Sequence, residues 1–142
     1  MLFRSVHDTQ ADVSESDIRQ AGLAVTKRAY AINQERGYET VLIVAALRGT
    51  HHMTELAGAD LTMSIAVPYQ DMLMSPDIPC EPRIDVPIPK DVIDRLSQVP
   101  EFVKAYDPEG MAVNDFITYG VTQQTLTQFL ESGWKLLSQF QP

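Results

Sequence analysis

The sequence predicts an α/β fold in which two strands lie side by side in a parallel sheet. Two apolar runs support this, at Thr40–Leu47 and Ala59–Val67, because each is apolar at consecutive rather than alternating positions. Strands of that kind are covered on both faces. A helical pattern precedes the first run and another separates the two, an order typical of right-handed βαβ crossovers. Since two strands alone would leave apolar edges unpaired, they resemble the last part of a larger sheet.

The first two helices are predicted from their ends. Ser14 or Ser16 can accept a hydrogen bond from the first turn of the first helix, and Gly37 can end this helix in the left-handed conformation. Thr50 is expected to cap a short second helix, which stops at Gly58.

Three more helices are predicted after the second strand. Pro89 and Pro100 are each placed to open a short helix. Residues 121–140 are expected to form a closing amphipathic helix, because their large apolar residues recur at helical spacing: Leu126, Phe129, Leu130, Trp134 and Leu137.

Composition limits the classes of partner and compartment. The chain has 142 residues and a net charge of −8, which fits one domain and argues against nucleic acid or an anionic membrane as the main partner. Cys80 is the only cysteine, so neither a disulfide framework nor a cysteine-based zinc site is expected. A reducing cytoplasm fits this composition best.

The first five residues raise a separate expectation. The stretch "LFRS" is what appears when the end of a common sequencing adapter is translated. Residues 1–5 are therefore interpreted as foreign sequence, joined to a gene that is cut on its 5′ side. The alternative is a genuine short N-terminus at Met1.

The loop after the first strand carries the candidate binding residues. In parallel βα folds, function gathers where strands end and helices begin. Arg48 follows the first strand directly, and its five-donor fork suits a phosphate group, aided by the N-terminus of the next helix. An ordinary surface arginine is the alternative. His51 and His52 point about 100° apart on a helix, so they make poor metal co-ligands, although His51 could face a substrate.

Longer stretches of the chain resemble a known family. These are "RGYETVLIVAALRGTHHMTELAGADLTMSIAVP", then "FVKAYDPEGMAVNDF", and last the spacing of Phe129 and Trp134. Together they span most of residues 20–140 and are similar to the late part of the transaldolases, which are class I Schiff-base enzymes on a (β/α)8 barrel. The resemblance implies that Thr40–Leu47 and Ala59–Val67 are strands seven and eight. Residues 1–142 would then be the C-terminal part of such a barrel, with Ser5 where the family has an arginine.

The resemblance also implies an activity. Transaldolases pass a three-carbon ketol unit between sugar phosphates through a lysine Schiff base, in the pentose phosphate pathway of carbohydrate metabolism, with no cofactor and no metal. Two alternatives within the superfamily are a fructose-6-phosphate-type aldolase and a barrel relative that binds sugar phosphates without catalysis. A small α/β interaction module remains a further alternative if Met1 is the native start.

The resemblance assigns roles to a few positions of this sequence. Arg48 matches a basic residue that helps to hold the substrate phosphate, while Ala46 and Leu47 replace a serine and an aromatic residue near the substrate. The strand that carries the Schiff-base lysine is expected to be missing, so no catalytic residue is assigned. The four lysines of the chain match no catalytic position and are expected to be solvated: Lys27, Lys90, Lys104 and Lys135.

Overall fold

The computed structural model describes residues 12–140, and the expectation about residues 1–5 lies outside them. Of the described residues, 57% are helical and only 3% lie in strands, so the predicted portion of a (β/α)8 barrel is wrong. Its helices are α1 (Glu15–Arg36), α2 (Thr50–Glu55), α3 (Val67–Leu73), α4 (Lys90–Leu96), α5 (Pro100–Tyr106), a 3-10 turn (Val113–Ile117), α6 (Gly120–Phe129), a π turn (Leu130–Trp134) and α7 (Lys135–Gln139). Of these helices, none has the length and apolar character that crossing a membrane requires.

The two strands are much shorter than predicted. β1 (Ile43–Val44) and β2 (Thr62–Met63) pair in parallel, with Ile43 opposite Thr62. They are not covered on both faces, because the side chain of Ile43 is 72% exposed. A parallel ladder extends when neighbouring strands and helices on both faces cover it. The described residues supply no third strand, so pairing stops after two positions.

Helix α1 forms as its end signals predict. The Ser14 side chain accepts a hydrogen bond from the Asp17 N–H, and the Asp17 carboxylate accepts one from the Ser14 N–H, which makes a reciprocal capping box. At the other end Gly37 has a φ of 61°, in the left-handed region where glycine meets no Cβ penalty. Local sequence therefore sets both ends of the longest helix.

The core consists of two small clusters on the two sides of α1. Ala21 and Ala24 pack against Leu96, Val99 and Phe102, which come from α4, α5 and the turn between them. The second cluster joins α1 to the end of α2 and to the segment after α3 through the buried side chains of Leu23, Leu56 and Ile84. Val44 and Met63 of the two strands pack against this cluster. The strands thus border the second cluster but do not form the centre of the protein.

Helices α4 and α5 begin where they were predicted, whereas α3 was not predicted, and its first residue, Val67, is the last residue of the second apolar run. Pro100 is the first residue of α5, and α4 begins directly after Pro89. Helix α2 differs, because its cap residue is Gly49 and no side chain caps it. Gly58 follows α2 with a φ of 88°, and a Cβ there would lie 2.8 Å from the Cβ of Pro82. This close approach lets the N–H groups of Arg83 and Ile84 reach the carbonyl of Ala57, at 2.8 and 3.1 Å.

Candidate functional site

The candidate site is the loop between β1 and α2, residues 45–49. Ala46 has a φ of 56°, and it is the only non-glycine residue with positive φ between residues 12 and 140. Its left-handed backbone turns the chain so that Leu47 is buried while Arg48 is exposed. Strained backbone of this kind gathers at ligand sites, although it also occurs in tight turns. Ala46 is therefore a strained position directly before the buried Leu47 and the exposed Arg48.

The Arg48 guanidinium makes no hydrogen bond or ion pair with any residue in the described range 12–140. Most other described arginines are engaged: Arg19 with Glu15, Arg83 with Glu55, and Arg95 with Asp17. Arg28 resembles Arg48 in having no such partner among these residues. Because an arginine side chain carries five N–H donors, the side chain of Arg48 can still bind an anion from solution.

Two histidine rings lie in contact with each other at the start of α2, shortly after Arg48. The rings of His51 and His52 lie 4.1 Å apart between centroids, tilted by 35°. Nδ1 of His52 accepts a hydrogen bond from the Arg48 N–H at 3.2 Å, so this nitrogen must be unprotonated. Burial lowers the pKa of His52, and the neighbouring His51 and Arg48 lower it further. His52 thus serves as a neutral acceptor that holds the loop.

His51 has a different environment. Its Nε2 atom is buried and has no hydrogen-bond partner among the described residues. Its Nδ1 atom folds back over Gly49, where an added Cβ would lie only 2.7 Å away. An unsatisfied buried nitrogen is costly unless water or a ligand reaches it. The expectation that His51 faces a substrate stays a prediction.

Helix α2 adds little to the candidate site. It has only six residues, and its first turn lacks both a side-chain cap and an acidic residue. The macrodipole effect grows from aligned peptides and is small for so short a helix. The expected help from a helix N-terminus is therefore weak, and Arg48 itself must supply most of the attraction for an anion.

Lys27 contradicts its predicted exposure. It is only 9% exposed, and its Nζ atom donates to Glu55 Oε2 at 3.2 Å, to the Arg83 carbonyl at 2.9 Å and to the Val86 carbonyl at 2.6 Å. These bonds use all three N–H donors of an ammonium group. Sequence reasoning missed the site because its partners lie 28, 56 and 59 residues away. Lys90, Lys104 and Lys135 are exposed, as expected.

Glu55 is the acidic centre of this buried cluster. Its second carboxylate oxygen accepts a hydrogen bond from Arg83 Nε at 2.7 Å. Burial alone would raise the pKa of Glu55, but the hydrogen bonds from Arg83 and Lys27 outweigh burial and the pKa lies below its ordinary value. The three residues tie α1, α2 and the segment after α3 together. No pattern in the sequence marked Glu55 or Arg83 in advance.

A shallow cleft opens near Lys27, between α1 and residues 84–88. Its volume is about 340 Å³, and Arg28, Tyr30, Asp85 and Tyr106 are among its lining residues. This volume is at the small end of the range for ligand pockets. The cleft brings together a positive and a negative side chain, unlike the loop at Arg48. Within residues 12–140, no three His, Cys, Asp or Glu side chains lie close enough together to hold a metal ion.

Comparison of the chain with models of protein families, with curated proteins and with solved structures finds no match.

Proposed function

We propose that this chain binds the phosphate group of a phosphorylated sugar through Arg48 and takes part in a transaldolase-like transfer of a three-carbon unit. The observation that carries the proposal is the exposed Arg48 guanidinium, which has no partner among residues 12–140 and follows a loop that the left-handed Ala46 directs outward. The resemblance of residues 20–140 to transaldolases supports a sugar phosphate as the ligand.

A phosphate fits this loop for chemical reasons. Guanidinium and phosphate oxygens pair through two parallel charge-assisted hydrogen bonds, which are about twice as strong as neutral ones. The overall charge of −8 disfavours large polyanions, so a small phosphorylated molecule is a better ligand than nucleic acid.

The imine step of the proposed reaction needs a lysine amine that can attack a carbonyl carbon. Lys27 is a poor candidate because its three donors are already bonded to protein oxygens. Lys90, Lys104 and Lys135 are exposed, and each forms an ion pair with an acidic residue three or four positions away in sequence. We therefore propose that this chain binds the phosphate through Arg48 and that none of its four lysines is the nucleophile.

A second candidate is a sugar-phosphate-binding protein without catalysis. It is favoured by the engaged Lys27 and by Ala46 and Leu47, which lack the polar and aromatic groups expected at a transaldolase site. An aldolase that releases the three-carbon unit has no observation in its favour.

For the cellular compartment, we propose the cytoplasm, where the exposed thiol of Cys80 would stay reduced.

Binding measurements on matched variants test the phosphate proposal. We expect a ketose phosphate such as fructose 6-phosphate to bind in calorimetry, and Arg48→Ala to raise its Kd roughly 10- to 100-fold. Fructose itself should bind weakly and equally to both proteins. Arg28→Ala is the control, because Arg28 also has no described partner but lies in the cleft. Arg48 would be rejected as the phosphate ligand if Arg48→Ala weakened the binding of fructose as much as that of fructose 6-phosphate. It would also be rejected if only Arg28→Ala weakened the binding of fructose 6-phosphate.

Borohydride trapping separates binding from catalysis. The chain is incubated with the ketose phosphate and borohydride, and its intact mass is measured. We expect no stoichiometric adduct on the four lysines. An adduct on Lys27 or on any exposed lysine would show that the nucleophile lies within this chain.

A further inference from the structure

The helical segment 120–139 exposes an apolar surface that the rest of the described chain does not cover. The segment comprises α6, the π turn and α7, and seven large side chains here and just after it are 54–75% exposed: Leu126, Phe129, Leu130, Trp134, Leu136, Leu137 and Phe140. Tyr119, the residue directly before the segment, is buried and connects it to α5, because its hydroxyl donates a hydrogen bond to the Glu101 carbonyl at 3.0 Å. The predicted C-terminal helical segment therefore forms, but its apolar side chains are not buried in either core cluster.

The exposed area is large enough for a stable interface. A Phe or Trp side chain offers about 150–250 Å², so the three aromatic residues alone present roughly 300–500 Å² at their exposures, and the four leucines, each 54–70% exposed, add to this area. The largest apolar patch on a typical monomer is about 300–600 Å². A standard interface buries about 800 Å² from each partner. The surface thus exceeds what a monomer usually leaves in water and approaches one side of a dimer.

Charge favours another protein surface over a membrane. Between residues 116 and 140 the only charged residues are Glu131 and Lys135, which pair with each other at 2.6 Å. The remaining polar positions are Gln, Thr and Ser. Helices that lie on anionic membranes carry several Lys or Arg residues on the polar face, and this segment has one lysine that is already paired. The segment is neutral, so two copies can approach here despite the net charge of −8 on each chain.

Gly133 lies in the middle of this surface. Apart from the adjacent residues and the backbone of its own helix, no atom of the described residues lies within 4 Å of the position that a Cβ on Gly133 would occupy. A glycine at such a point lets the backbone of a partner helix approach closely. If two copies cross in antiparallel fashion with Gly133 on the twofold axis, Phe129 of each lies opposite Leu137 of the other, and Leu130 opposite Leu136. A single surface is then complementary to itself, as an isologous contact requires.

From these observations we infer that segment 120–139 is a homodimerisation helix, which pairs antiparallel with the same segment of a second copy of this chain. This inference does not depend on sugar-phosphate binding. Each copy covers the apolar side chains of the other, and the paired Glu131 and Lys135 stay at the solvent side.

The test is sedimentation of the full chain over a range of concentrations. We expect a reversible dimer, and Leu130→Glu should raise its dissociation constant at least 100-fold, because a carboxylate would be buried without a partner. Val113→Glu is the control, since Val113 is a highly exposed apolar residue outside the segment and its substitution should leave the dimer intact. A monomer at every concentration, or equal effects of the two substitutions, would overturn the inference.

Fluorescence of the wild-type chain gives a second measurement that needs no variant. Trp134 is the only tryptophan and is 68% exposed. Its emission should shift to shorter wavelength as concentration rises, with the same midpoint as sedimentation. Addition of neutral phosphatidylcholine vesicles should not shift it. A shift that appears only with vesicles would assign the surface to a membrane instead and reject the dimer.

Discussion

Two hydrogen bonds join the guanidinium of Arg95 to the carboxylate of Asp17, with Nε and Nη2 lying 2.9 and 2.8 Å from the two oxygens. The pair links α1 to α4 across 78 residues of sequence. Asp17 is 4% exposed and also accepts a hydrogen bond from the Ser14 hydroxyl at 2.7 Å. One carboxylate thus completes a helix cap and fastens two helices together.

Replacing Asp17 should reveal how much this link stabilises the fold. We expect Asp17→Ala to lower the free energy of unfolding by about 3 kcal/mol, because it removes a buried partner and a capping group together. The control is Asp91→Ala, which removes the exposed second partner of Arg95 and should cost less than about 1 kcal/mol. Urea unfolding of the three proteins measures both values. Equal costs would mean that the buried pair contributes no more than a surface pair.

The same carboxylate should make stability sensitive to acid. The hydrogen bonds from Arg95, and then those from Ser14, hold the pKa of Asp17 well below its ordinary value. The unfolded chain therefore takes up this proton near pH 4, while the folded chain does so only at lower pH. The contribution of Asp17 is complete above about pH 4 and is lost as the pH falls further. Urea unfolding from pH 7 to pH 2.5 should show a shallower acid loss in Asp17→Asn than in the wild type; parallel curves would contradict this assignment.

Lys27 gives a test of the buried cluster. We expect Lys27→Met to destabilise the protein by roughly 2–3 kcal/mol, because the carbonyls of Arg83 and Val86 lose a donor and Glu55 loses one of its two cations. Lys90→Met is the matched control, since Lys90 pairs only with the exposed Asp94 on its own helix. If thermal unfolding shows the same small change for both, Lys27 is not the anchor that its contacts indicate.

Ala46 should be a site where glycine stabilises. A left-handed backbone costs an alanine about 1–2 kcal/mol, whereas glycine adopts it freely at a smaller entropic cost. We expect Ala46→Gly to raise the free energy of unfolding by about 0.5–1 kcal/mol. Ala45→Gly, next to it and without positive φ, should instead lower it. Shifts of the two denaturant midpoints in opposite directions from the wild type would support a strained backbone at Ala46, and shifts in the same direction would exclude it.

His52 should titrate below the ordinary histidine range. Burial first, and then the neighbouring His51 and Arg48, lower its pKa, so its ring is neutral at pH 7. We expect the NMR titration midpoint of its ring to lie below about 6.5. In Arg48→Ala the midpoint should rise only slightly, because burial is the larger cause. A midpoint above 6.5 would mean that Nδ1 does not accept the Arg48 N–H. Since a lowered folded pKa means that the unfolded state binds more protons, the contribution of His52 to stability should fall as the pH drops through 6.5.

The sequence was sufficient to predict a structural feature when the residues that form it lie within a few positions of one another. Ser14 and Asp17 are three residues apart, so the capping box could be anticipated, as could the left-handed Gly37 and the start of α5 at Pro100. The parallel relationship of β1 and β2 also follows from their order along the chain. Arg48 could be placed in the loop after β1 because it follows the apolar run directly.

Only the tertiary structure decided what each segment is packed against. An apolar run such as Thr40–Leu47 is equally consistent with a long covered strand and with the two-residue strand observed, because its length depends on neighbours far away in sequence. The same holds for Lys27, whose burial follows from three oxygens supplied by distant residues. The sequence by itself determined the ends of α1 through contacts that are short in sequence. The fold class, the exposure of segment 120–139 and the partners of Asp17 and Lys27 depended on contacts between distant segments, which local propensity does not encode.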